Sequence, residues 1–168
     1  MILFEADKLY VEPVKIEDIE DIEDIASVYN SNLHFLEKHI GVTKVETQWV
    51  YEELISMKEM EFCSCKIVEQ DTGIIIGFID FKLEKETYLS LIMLHSDAKG
   101  KGYGKLILQE FETYIKMLGS NRIRIDVVTD YDGSIMEYWR KRGFLPLEQL
   151  ELNWSGRTLP AVKMIKQL

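Results

Sequence analysis

Residues 88–118 read YLSLIMLHSDAKGKGYGKLILQEFETYIKML. An apolar run, Tyr88 to Leu94, enters a polar, glycine-rich turn and then a segment in which Leu106, Phe111, Tyr114, Ile115 and Leu118 recur at helical spacing before Gly119. The pattern predicts a strand, a loop and a helix. A helix start leaves backbone N–H groups without partners, and glycines let a ligand approach them closely. Lys99-Gly100-Lys101-Gly102-Tyr103-Gly104-Lys105 is therefore an anion site in outline, with three lysines adding positive charge. A loop with solvated lysines is the bland alternative. A Walker loop ending at Gly104-Lys105 would need glycine in place of Lys99 and Ser or Thr in place of Leu106. A dinucleotide fingerprint beginning at Gly100 would need glycine in place of Lys105. Both fit poorly.

Upstream, Leu9 to Pro13 reads as a first strand, and the IEDIEDIED run that follows predicts a helix from Asp18 onward. Its buried face would be Ile22, Ile25, Ala26 and Tyr29, and its acids would be solvated. Ile16 belongs to the turn before it, because a three-residue repeat drifts about 60° per step around a helix. Residues 30 to 45 show no clean period. A second helix carries Trp49, Val50, Leu54 and Met57. Glu61 to Glu69 and Ile74 to Leu83 flank the turn Gln70-Asp71-Thr72-Gly73 and predict an antiparallel hairpin. Downstream, Ile123, Ile125 and Val127 alternate as one strand face. A helix through Ile135, Met136, Tyr138, Trp139 and Arg142 ends at Gly143-Phe144, and a closing pair of strands follows. The order β-α-α-β-β-β-α-β-α-β-β implies mixed strand directions in a layered α/β domain spanning residues 1–168.

The balance of 20 basic and 29 acidic residues gives a net charge of −9, which lacks the basic surface that nucleic acid requires. No apolar run approaches the ~20 residues of a membrane helix, and MILFEADK does not read as a signal peptide, so a cytoplasmic protein with no membrane partner is expected. Cys63 and Cys65 stand two apart in a strand-like run, where a bridge would be strained, so buried free thiols are expected. Three scattered histidines, at 34, 39 and 95, match no zinc spacing, and no metal is expected.

The glycine-rich turn resembles the pyrophosphate loop of the GNAT N-acetyltransferases, R/Q-x-x-G-x-G/A, with Lys99, Gly102 and Gly104 at the marked positions. Lys99 keeps the charge of the family's Arg but not its fork. Leu94-His95-Ser96-Asp97 stands at the family's V-x-P-x run, and Asp132 through Phe144 resembles its N-x-x-(A/S)-x-x-(F/L)-(Y/W)-x-x-x-G-F segment. Residues 1 to 60 match in element order alone.

This resemblance implies a three-layer domain with a central mixed, mostly antiparallel sheet between helices. It also implies acetyl-CoA as donor, coenzyme A as product, and a primary amine of a small molecule or peptide as acceptor. Monomer and homodimer are both left open. The 88–94 strand would splay from its neighbour, with the main chain around Ile92, Met93 and Leu94 holding pantetheine and the loop from Lys99 to Lys105, Gly100, Lys101 and Tyr103 included, holding the pyrophosphate. A base is sought on that strand, where Glu86, Tyr88 and Ser90 are available; a charged turn is the alternative for Glu86, and Tyr88 could hold a water on the acceptor side. The family's tyrosine acid falls at Trp139, which cannot act as one and would line the cofactor. Tyr138 next to it, or Tyr131, is left for the acid, with a core-facing phenol as the alternative for Tyr138. A thiolate can also leave unassisted. Asp132 replaces the family's Asn and should cap the helix. His34 and His39 fall where relatives line the acceptor pocket. A non-catalytic acyl-CoA-binding module, and transfer of a longer acyl group, are the competing readings.

Overall fold

The structure is a computed structural model and describes residues 1–130 and 132–168. Its strands are β1 (Phe4–Ala6), β2 (Leu9–Pro13), β3 (Cys63–Glu69), β4 (Ile75–Lys82), β5 (Glu86–Leu94), β6 (Arg122–Val128), β7 (Leu145–Trp154) and β8 (Arg157–Gln167). They form one sheet in the order β1-β2-β3-β4-β5-β6-β8-β7. Every adjacent pair is antiparallel except β5 and β6, which run parallel through the crossover helix α4 (Tyr103–Met117). A parallel pair needs such a crossover, and here the crossover carries the glycine loop.

Helices cover both faces, giving the three layers expected. On one face α1 (Ile19–Asn30) and α3 (Thr47–Glu59) bury Ile22, Ile25, Tyr29, Val50 and Leu54 against Phe78 and Met93 of the sheet. On the other, Ile107, Phe111 and Ile115 of α4 pack on Ile79, Phe81, Ile123 and Ile125, joined by Trp139 of α5 (Gly133–Lys141). Asp18 caps α1, accepting from Glu20 N, which starts the helix where the acidic run predicts. One acid of that run is not solvated. Asp21 is buried, and its carboxylate takes two bonds from Lys66 Nζ at 2.7 and 2.9 Å, tying α1 to β3.

Three local features depart from expectation. Residues 4–6 add a strand too short to show a period, hinged on Asp7 at φ 56°. The aperiodic stretch contains α2 (Leu33–Phe35) running into a π-helical turn, Leu36–Ile40, closed by Gly41 at φ 79°. The two thiols are free, but Cys63 is exposed and Cys65 alone is buried, because Cys63 lies at the open end of β3. Among the described residues no helix is long and apolar enough to cross a membrane.

Gly77 shows how closely β4 and β5 approach. A Cβ there would lie 2.4 Å from the Met93 carbonyl oxygen, so the backbone itself would have to move. Gly77→Ala is expected to destabilise the fold by about 2–4 kcal/mol, read as a lowered midpoint in chemical denaturation with an unchanged m value.

Candidate active site

Two irregularities of β5 open the cleft. Asp80 pairs with Leu91 and Phe81 with Leu89, so Ser90 is an extra residue, a bulge that bends the strand. Beyond it the parallel ladder with β6 stops: pairing covers only Glu86–Tyr88 against Arg122–Arg124. From Leu89 on, β5 and β6 part, as the resemblance implied, leaving a cleft of about 890 Å³ between them. Ile92 and Leu94 line it, as do Tyr88 and Trp139. Met93 does not, because its side chain points into the α1 and α3 core.

The glycine loop closes one end. Gly100 at φ 76° and Gly102 at φ 81° occupy the left-handed region that side chains disfavour, and Gly102 sits immediately before the first turn of α4. No heavy atom lies within 4 Å of a Cβ built on either glycine, so the backbone faces open space. Lys99, Tyr103, Gly104 and Lys105 line the same end, and Lys101 stays outside it. Lys99 Nζ donates to Asn32 Oδ1, and burial lowers the lysine pKa. The buried Asn32 also donates to the carbonyls of Leu94, at 3.0 Å, and Val28, at 2.9 Å. It therefore clamps the end of α1, the end of β5 and the loop lysine together, a role no sequence pattern marked. An uncrowded glycine cradle on a helix start, flanked by lysines, fits a pyrophosphate.

Acids and aromatic rings make the other end. Asp80, 4% exposed on β4, has its pKa raised to about 7, first by burial and further by Glu53. Ser64, its register partner, opposes the shift only in part, since neither Ser64 Oγ nor Asp80 Oδ1 reaches hydrogen-bonding geometry with any described group. Glu53 of α3 accepts from Trp154 Nε1 at 2.7 Å, and burial raises its pKa too. Phe35 stacks on His39 at 4.1 Å and meets Trp154 edge-on at 5.6 Å. The π-helical turn brings His39 into this wall, where burial lowers its pKa to about 4 and leaves it neutral. Asp126 lines the cleft but is held by Arg124 in two bonds of 3.0 and 2.9 Å.

The other residues singled out in the sequence divide. Tyr138 is 37% exposed rather than core-facing, under the Arg142 guanidinium 3.4 Å from its ring. Its hydroxyl reaches the loop: a Cβ on Gly104 would stand 3.3 Å from it. Trp139 packs on Phe144 with centroids 5.2 Å apart. Asp132 caps α5, accepting from Ser134 N at 2.9 Å. Glu86 lies outside the cleft, ion-paired to Arg122 at 2.6 Å and Lys163 at 3.4 Å, so its carboxylate is engaged at the far end of β5. His34 is exposed on α2 and does not line the cleft, while His39 does. Tyr131 lies outside the described residues.

The chain matches the model of the Acetyltransferase (GNAT) family over residues 22–144. Among curated proteins none matches it. Similar solved structures include an acetyltransferase from Salmonella typhimurium that modifies the N-terminal serine of the 50S ribosomal subunit protein L7/L12. That protein is 13% identical over 100% of this chain and 99% of that one, with a TM-score of 0.77. A ribosomal L7/L12 alpha-N-protein acetyltransferase in complex with coenzyme A is 14% identical over 100% and 98%, with a TM-score of 0.75. A Salmonella typhimurium protein solved with its cofactor acetyl-CoA is 16% identical over 95% and 94%, with a TM-score of 0.62. At these identities the structures speak for the fold, and the family model, covering well over half the chain, decides membership: the chain belongs to the GNAT family of acetyltransferases, enzymes that use acetyl-CoA.

Proposed function

We propose that residues 1–168 act as one N-acetyltransferase unit that moves an acetyl group to a primary amine, with Asp80 as the general base. The observation that carries this reading is the Asp80 carboxyl group: buried, lining the cleft, with no ion-pair partner among the described residues and a pKa raised to about 7. A base near neutrality removes a proton efficiently and returns it to water. When bound, acetyl-CoA supplies an acetyl thioester. Gly100, Gly102 and the first turn of α4 would hold its pyrophosphate through backbone N–H groups, with Lys99 and Lys105 beside them. Asp80 would take one proton from the incoming ammonium, freeing the nitrogen lone pair for attack on the acetyl carbonyl, pass it to water, and then accept the second proton that nitrogen must lose as the amide forms and coenzyme A departs. Tyr138, with its hydroxyl beside Gly104, would give its proton to the departing thiolate and recover one from solvent.

Coenzyme A release followed with a thiol reagent over a panel of amines tests the assignment, since an acetyltransferase releases thiol only when an acceptor is present. On the best acceptor, Tyr138→Phe is expected to lower kcat by ~10²-fold with little change in KM for acetyl-CoA or in thermal midpoint. An unchanged kcat would remove the acid role from Tyr138 and leave the thiolate departing unassisted.

A further inference from the structure

The acceptor end of the cleft says more about the amine than that it is one. We infer that the acceptor is an alkyl diamine, an amine carrying a second ammonium a few methylenes away and no acid. This rests on the acetyltransferase reading of the cleft and narrows its substrate.

Two carboxylates, Asp80 on β4 and Glu53 on α3, line the cleft, the Glu53 charge helps raise the Asp80 pKa, and among the described residues neither has an ion-pair partner. Asp80 is buried and Glu53 half-buried, so two like charges there without a cation are costly to keep, and a ligand with two cationic ends relieves both. Asp126, the third acid, is neutralised by Arg124 and adds no demand of its own. The roles of the two differ. Asp80 lines the cleft with a carboxyl group that no cation pairs among the described residues, and suits the reacting nitrogen. Glu53 has one oxygen fixed by Trp154 Nε1, which orients the carboxylate and leaves Oε2 for a standing ammonium.

The wall beside Glu53 is made of rings. Phe35 and Trp154 cross edge to face at 5.6 Å, beside the neutral His39, and such faces accept methylenes and attract cations. The converse evidence is where the cleft's cations stand. Lys99 and Lys105 belong to the glycine loop, and Arg142 sits over Tyr138 on α5. Among the described residues none lines the acceptor end; Lys38 and Arg157 act on His39 without lining the cleft, so the carboxylate of an amino acid would meet Glu53 and Asp80 with no lining cation to pair it.

The test compares kcat/KM, by coenzyme A release, for 1,4-diaminobutane, butylamine, 2,4-diaminobutanoate and a lysine-containing peptide. The diamine is expected to exceed butylamine by roughly 10- to 100-fold, the scale of one charge-assisted hydrogen bond, beyond the doubling due to its two equal ends. The carboxylate of 2,4-diaminobutanoate should lower kcat/KM by a similar factor. Glu53→Gln, which can still accept from Trp154, should bring the ratio of diamine to monoamine close to the statistical value. Should that variant fail to fold, the acceptor series on the unaltered protein decides alone. Equal rates for diamine and butylamine, a preference for the amino acid or the peptide, or a ratio that survives Glu53→Gln would each overturn the diamine assignment and leave the acetyltransferase reading standing. No turnover of any amine by protein that binds acetyl-CoA would overturn both.

Discussion

Asp80→Asn is expected to lower kcat/KM by about 10²- to 10⁴-fold while leaving acetyl-CoA affinity unchanged. The amide is nearly isosteric but cannot take the ammonium proton. In the unaltered protein kcat/KM should climb as pH rises through about 7, where the carboxylate ionises, and that inflection should vanish in the variant. The separate deprotonation of a free amine lies well above it and should remain in both. Stability should move the opposite way. The carboxyl pKa is raised from 3.8 in the unfolded chain to about 7 in the folded one, so the native state holds the extra proton between those values. Stability due to this group is full below pH 4 and declines as pH rises toward 7. Asp80→Asn, which has no charge to bury, is therefore expected to match the unaltered protein at pH 4 and to exceed it in thermal midpoint at pH 8. A less stable variant at pH 8 with normal turnover would make Asp80 a structural acid.

Gly102→Val carries the second large effect, a loss of acetyl-CoA affinity of at least about 10²-fold by calorimetry. The added side chain would fill the open space in front of the α4 start, where the pyrophosphate is expected. At φ 81° it would also strain the backbone by about 1–2 kcal/mol, which alone could be mistaken for a binding effect. Gly73 separates the two. It has φ 71° and equally open surroundings, but it lies in the β3–β4 turn away from the cleft. Gly73→Val should lower the thermal midpoint comparably and leave acetyl-CoA binding intact. Lys99→Ala should weaken binding by less than either Gly102 effect suggests, about 10-fold or under, because backbone amides remain in place.

The glycine-loop end proposed for the cofactor was legible in the sequence because its residues are local. A strand, Gly100, Gly102, Gly104 and a helix are consecutive, and the backbone of those same residues makes the cradle. The acceptor end is assembled from distant segments. Asp80, Glu53 and Trp154 come from a strand, a helix and the far end of β7, and no spacing along the chain joins them. One signal existed for Asp80: a lone carboxylate inside IIGFIDFK, a strand buried at all but its last residue. A half-exposed strand would alternate, and an acid within a fully buried run must have a purpose or a partner. Glu86 was the more visible acid because charged neighbours surround it, and those same neighbours, Arg122 and Lys163, neutralise it once the sheet forms. Asn32 escaped for a related reason: its clamp on Leu94 and Lys99 spans more than sixty residues. Helix periodicity placed α1, α3 and α4 correctly, but a π-helical turn has neither the helical nor the strand period, so Leu36–Ile40 could not be read from the pattern, and His39 was reached only through the family resemblance.

The central claim is that this cleft transfers an acetyl group to an amine, and the most direct measurement is mass spectrometry of the reaction with acetyl-CoA labelled in the acetyl group. With the unaltered protein and 1,4-diaminobutane, the label is predicted to appear in an amide product in step, mole for mole, with free coenzyme A, and the yield should collapse with Asp80→Asn. Tight binding of acetyl-CoA with no labelled amide from the amine panel would contradict the account and leave an acyl-CoA-binding module in its place, and label released only as free acetate would contradict it in favour of thioester hydrolysis.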